Sequence, residues 1–140
     1  MYIGIDLGTS SVKMILVDSE QSIIATANSG LTVQSPKDGF SEQDPQEWIN
    51  STMKCLSSLK TQNPHEFSEI ISIGISGHMH GATLIDSSGN VIRPCILWND
   101  TRSHNECEEF ENQSFDVRSI SGNITMPGFT APKINWLKNN

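Results

Sequence analysis

The chain predicts an α/β domain on three observations: a block of short apolar strands at its start, one strongly signalled helix after them, and then further strands and helices. Ile3, Gly4 and Ile5 lead into Asp6 as a first strand, and Val12, Met14, Ile15, Leu16 and Val17 form a second. A turn at Gly8-Thr9-Ser10 joins them. Tyr2 to Asn28 reads as three strands with turns, and Leu31 to Gln43 as a connection.

The helix signal follows at once. Asp44 can cap free amides, Pro45 suits the first helical position, and Glu47 can reach back as a capping-box partner. Trp48, Ile49, Met53, Leu56 and Leu59 recur near helical spacing, which predicts a helix to about Lys60 with Trp48 in the core. Ile70 to Ser76 is β-branched and apolar, the pattern of a buried strand, and it breaks at Gly77-His78-Met79-His80-Gly81. Ala82 to Asp86 and Val91 to Trp98 read as two more strands around Ser87-Ser88-Gly89-Asn90. A helix is expected after Asp100 or Thr101, to about Asn112. A last one is expected after Thr130, with Pro132 early and Ile134, Trp136 and Leu137 as its apolar residues.

At 140 residues one domain with a sizeable core is expected. Nine basic against sixteen acidic residues give a net charge of −7, which argues against nucleic acid or an anionic membrane as partner. No apolar run approaches the roughly 20 residues that span a bilayer. The first residues lack a basic segment leading into an apolar one, so a cytoplasmic protein without a secretory leader is expected. Cys55, Cys95 and Cys107 lack metal-like spacing and are expected as reduced thiols.

The opening turn carries the chemistry. A strand ending in Asp6, then Gly8, Thr9, Ser10, Ser11 and Lys13, suits a phosphate-gripping hairpin: backbone amides and hydroxyls donate, and Lys13 is the local cation. Asp6 could hold Mg²⁺ through water. An ordinary hairpin turn has the same look, and both readings stand at this point. The Gly-Lys-Ser/Thr ending of a Walker loop is absent, and Gly4 and Gly8 do not give the dinucleotide spacing.

Five segments occur in order: Asp6-Leu7-Gly8-Thr9-Ser10-Ser11 with Lys13; Ser41-Glu42-Gln43-Asp44-Pro45; Gly77-His78-Met79-His80-Gly81; Ile96-Leu97-Trp98-Asn99-Asp100 with Arg102; and Gly122-Asn123 with Met126-Pro127-Gly128-Phe129-Thr130-Ala131-Pro132-Lys133. Over essentially the whole chain this set resembles the N-terminal domain of the FGGY carbohydrate kinases. The resemblance implies an actin-like ATPase, ribonuclease H-like domain, with a mixed sheet flanked by helices. It also implies that residues 1–140 are an incomplete FGGY N-terminal domain whose C-terminal partner domain is absent from the chain.

The implied activity is transfer of the ATP γ-phosphate to a sugar, with Mg²⁺. The 5-hydroxyl of D-xylulose is the leading acceptor, and gluconate, ribulose or glycerol are alternatives. Carried over, Asp6 belongs to the metal site, while Gly8, Thr9, Ser10 and Lys13 belong to the phosphates. Met79, His80, Trp98, Asp100 and Arg102 line the sugar pocket. The family's base aspartate lies in the second domain and has no counterpart here, so no catalytic residue is assigned and the isolated chain is expected to be inactive. Oligomeric state is left open, a homodimer included.

Plainer roles remain beside these. Asp100 can be the N-cap of the next helix, Arg102 can pair with Glu106, and Met126 and Phe129 can simply pack their bend. His78 and His80 lack a third ligand that would make them a metal pair. A non-catalytic sugar- or phosphate-binding module is the alternative from another class. An actin-like ATPase of another kind shares only the first loop.

Overall fold

The computed structural model describes residues 1–113 and 116–140. Its contacts form two compact units: Met1–Thr32 with Gln46–His78, and Val33–Pro45 with Met79–Asn140.

The first unit is built on a four-stranded sheet. Strands β1 (Tyr2–Leu7), β2 (Ser11–Val17) and β3 (Ile23–Gly30) form antiparallel neighbours, and β4 (Glu42–Gln43) belongs to the other unit. Helix α1 (Pro45–Gln62) and the short α2 (Pro64–Ser68) precede β5 (Ser72–Ser76), which lies parallel to β1 and completes the order β3-β2-β1-β5. Alternation assigns the two faces. Ile3 and Ile5 of β1 and Val12, Met14 and Leu16 of β2 are buried in one cluster with Cys55 and Leu59 of α1. Burial of each large apolar side chain stabilises the fold by about 1.5–3 kcal/mol. The intervening Asp6, Lys13 and Ile15 are exposed.

Three expectations for this unit are corrected. The buried face of α1 is Ser51, Cys55 and Leu59 rather than the Ile49–Met53 side, which is exposed. Trp48 is half-buried and stacks on His78, with ring centroids 5.5 Å apart, instead of entering the core. Strand β5 is exposed throughout, because it is the last strand of the sheet among the described residues. Its β-branched residues announce a strand without announcing what covers it. Glu47 accepts the Thr32 amide at 3.1 Å, a partner the capping pattern did not supply.

The second unit has little regular backbone. Strand β4 pairs antiparallel with β6 (Cys95–Ile96). The expected pair of strands from Ala82 to Trp98 is reduced to β6 and to single bridges, Ala82 with Ile96 and Ile85 with Val91. The turn between them is closed by Asp86, whose carboxylate accepts from Ser88 N, Asn90 N and Asn90 Nδ2. Those bonds, with Asn90 foremost, hold its pKa below the usual carboxylate value. Helices α3 (His104–Glu111), α4 (Val117–Ser121) and α5 (Thr130–Asn139) follow. Helix α3 has Ser103 at its N-cap, so the capping role weighed for Asp100 is not the one observed. Helix α5 buries Pro132 and Lys133, half-buries Trp136 and Leu137, and leaves Ile134 exposed, so Ile134 alone of the three expected apolar residues faces outward.

Polar contacts supply what the short ladders do not. Asp100 accepts from Ser41 N at 2.6 Å, and Arg102 donates to it from Nε at 2.9 Å and Nη2 at 2.7 Å. Arg102 Nη1 lies 2.6 Å from Glu42 Oε1, an ionic contact off the line of a good hydrogen bond. The guanidinium also covers the Phe40 ring at 3.7 Å and lies 5.0 Å from the Trp136 ring. All three cysteines are buried free thiols, and burial raises the pKa of each. No helix among the described residues is long and apolar enough to cross a membrane.

Candidate active site

In the first unit, register puts Asp6 of β1 opposite Lys13 of β2, and Asp6 opposite Ser76 of β5. These three residues help line a trough of about 460 Å³ with Gly4, Gly74 and Ile15. The trough lies on the sheet face that the core does not use. A Cβ at Gly4 would stand 3.1 Å from Ile15, so glycine keeps this cross-strand contact close. Among the described residues no group of three His, Cys, Asp or Glu side chains could hold a metal, and Asp6 offers a lone exposed carboxylate.

The turn between β1 and β2 closes through Gly8 N–H donating to Ser11 O at 3.1 Å, and Leu31 N–H donating to Ser10 O at 2.9 Å. The Gly8 amide is thus engaged within the turn. A Cβ there would sit 3.2 Å from Ser11 O, so what glycine contributes is a tight turn. Thr9 is half-buried and Ser10 is exposed.

In the second unit, Met79, His80, Trp98 and Asp100 line one hollow of about 390 Å³. Asn99, Thr101 and the segment Met126, Pro127, Gly128 and Phe129 complete it. His80 has φ of 55°, a left-handed backbone uncommon outside glycine. Its ring packs on Phe129 with centroids 4.8 Å apart. Trp98 is 43% exposed, enough to present an indole wall. A Cβ on Gly128 would collide with the Trp98 carbonyl, so that wall and the 126–129 bend meet backbone to backbone.

The five expected sugar residues thus divide. Met79, His80 and Trp98 come together as accessible groups. Asp100 borders the hollow, yet its side chain is fully buried and bonded to Arg102 and Ser41. Arg102 is 1% exposed and is not among the hollow's lining. Met126 and Phe129 line the hollow as well as packing their bend. The sequence reading gave no role to Lys133, whose buried ammonium donates to His80 O at 2.7 Å and Gly128 O at 2.8 Å. A signal was available: a cation in the first turn of a helix opposes the macrodipole and needs a reason to be there.

A mixed sheet entered through an opening hairpin is what the actin-like class of domain predicts, and the comparisons agree. The sequence model of the FGGY family of carbohydrate kinases, N-terminal domain, matches residues 1–140, and the chain belongs to that family. It is 46% identical over 138 residues to the xylulose kinase of Escherichia coli strain K12, covering 99% of this chain and 28% of that protein. It superposes on a Brucella ovis xyloylose kinase with a TM-score of 0.95 at 50% identity, covering 99% of this chain and 29% of that one. The xylulose kinase from Rhodospirillum rubrum gives 0.92 at 29% identity, with 99% and 29% covered. The chain therefore spans a little over a quarter of the length of the relatives it matches.

Proposed function

We propose that the chain is the N-terminal part of an ATP-dependent sugar kinase that transfers the γ-phosphate to the 5-hydroxyl of D-xylulose, giving D-xylulose 5-phosphate. Xylulose is preferred over other acceptors because the 46%-identical Escherichia coli relative and the Rhodospirillum rubrum structure carry that substrate in their names. A cytoplasmic location and a C-terminal partner domain are parts of the same proposal.

In this reading the Gly8-Thr9-Ser10 turn receives the nucleotide phosphates, with the Thr9 and Ser10 hydroxyls as donors and Lys13 beside the γ-phosphate. Asp6 holds Mg²⁺ through its water shell. The fit is reasonable, because Mg²⁺ keeps several waters and takes one or two carboxylates plus phosphate oxygens rather than an all-protein cage. Bound Mg²⁺ supplies charge neutralisation at the transferring phosphoryl group. Lys13 adds to that stabilisation from the protein side.

Met79, His80 and Trp98 contact the sugar: the imidazole offers a directional donor and acceptor, and the indole a flat wall. Asp100 and Arg102 act one layer behind, as the charged pair that fixes the loop carrying Trp98. Among the described residues of the hollow the one carboxylate is Asp100, and a buried carboxylate bonded to arginine is a poor base for a sugar hydroxyl. We therefore assign the base to the partner domain and expect no phosphorylation by the 140 residues alone.

The observation that carries the reading is the register pair Asp6–Lys13 on the uncovered sheet face, beside the hairpin. The test is a chimera in which residues 1–140 replace the matching stretch of the E. coli xylulose kinase. ADP release is assayed with D-xylulose, ribulose, gluconate and glycerol. Turnover highest with xylulose supports the proposal. A soluble, cooperatively folded chimera that turns over none of the four would overturn it.

A further inference from the structure

We infer that Lys133 is a positioning residue for the sugar hollow: by tying the carbonyl of His80 to the carbonyl of Gly128 it sets the spacing between the His80 ring and the Trp98 wall. The inference rests on the sugar reading above and deepens it, naming a residue that touches no sugar yet controls the affinity for one.

The geometry has three parts. Lys133 has no exposed surface, and its Nζ donates to carbonyls of two separate segments, at 2.7 Å to His80 and 2.8 Å to Gly128. Both acceptors belong to residues that line the hollow. His80 holds its left-handed backbone there, a conformation that persists only where the surroundings impose it. Gly128 packs directly against the Trp98 carbonyl, so a displacement of this bend moves Trp98. Through Phe129, whose ring meets His80, the same bend also buttresses the imidazole.

Charge makes the clamp testable. A bond from an ammonium to a carbonyl is stronger than one from a neutral amine. Burial lowers the Lys133 pKa to about 8, opposed by Cys95 of β6 and by Asp100, and assisted by Arg102. Burial, chiefly, pushes the Cys95 thiol above its usual range. Asp100 and Arg102 stay paired with each other.

The experiment is calorimetric titration of the 140-residue chain with D-xylulose across the alkaline range that brackets this value, for wild type, Lys133→Met and Lys133→Arg. Backbone amide shifts of Gly81 and Phe129 are followed in parallel. Wild-type affinity is expected to fall as pH rises through about 8. Lys133→Met is expected to bind about 10-fold more weakly at neutral pH, with no alkaline limb. Lys133→Arg, permanently charged, should keep measurable affinity and lose the limb.

A fold-only role would leave all three proteins with one pH profile, and that result, or equal affinity of wild type and Lys133→Met, overturns the inference. Should Lys133→Met not fold, the presence or absence of the alkaline limb in Lys133→Arg decides alone. Amide shifts that titrate near 8 in a wild type that binds no xylulose uphold the clamp and overturn the sugar reading instead.

Discussion

The two units hold their proposed ligand residues by opposite means. In the first, backbone ladders and a dry face of Ile3, Ile5, Val12, Met14 and Leu16 make the fold, and Asp6 and Lys13 project from the other face. In the second, the ladder between β4 and β6 is two residues long, and buried charges hold the loops. Glu42, Asp100, Arg102 and Lys133 are all less than 10% exposed. The site residues of the first unit are thus separable from its stability. Those of the second are entangled with it.

Breaking the charge network should give the largest effect. Arg102→Met leaves the buried carboxylate of Asp100 without its cation while Glu42 keeps Arg93, and losing one partner of a buried pair typically costs about 3–5 kcal/mol. Denaturant unfolding should show that loss in the 140-residue chain. Arg102→Lys should recover little of it, because an ammonium cannot reproduce the two-pronged contact with Asp100 or the stacking on Phe40. A lysine variant as stable as wild type would remove the basis for the comparison.

Next comes Gly128→Ala. The added methyl group collides with the Trp98 carbonyl, and the backbone shift it forces should cost about 1–3 kcal/mol. Near-ultraviolet circular dichroism should report the change around Trp98, while the sheet of the first unit keeps its far-ultraviolet signal. Unaltered stability and an unaltered tryptophan signal would mean that this bend yields freely.

Lys13→Met sharpens the contrast from the other side. Lys13 is exposed, so stability should change by no more than about 0.5 kcal/mol. Activity of the chimera should nevertheless fall by roughly 10²-fold or more, as expected when a group stabilising transferred charge is removed. A loss of both together would place Lys13 with the residues of the second unit in kind.

Legibility followed the same division. The first three strands and the body of α1 were readable, because period-2 alternation and a capping sequence are local signals and the structure of β1 to β3 obeys them. The Asp6–Lys13 pairing follows from that alternation once the turn length is known. The second unit resisted. Its short β4, together with α2 of the first unit and α4, carries too few residues to show a period. The apolar look of Ile134 in α5 pointed away from the face that is buried, since that helix packs by Lys133 and Trp136 instead. Resemblance placed the residues of the hollow. It did not separate the accessible His80 and Trp98 from the saturated Asp100 and Arg102, because a motif records identity and not hydrogen-bond partners.

The smallest expected effect is the pH dependence of stability from Lys133. Its folded pKa of about 8 lies below the ordinary 10.5, so between these values the unfolded chain binds more protons than the folded one. Stability from this group is therefore present in full above the unfolded value and is lost as pH falls through about 8. Unfolding midpoints of wild type compared with Lys133→Arg, which stays charged across the window, should diverge with rising pH in favour of wild type. A difference independent of pH would mean that the folded protein does not strain the Lys133 ammonium. The second unit would then hold its buried Lys133 ammonium as easily as the first unit holds the exposed Lys13.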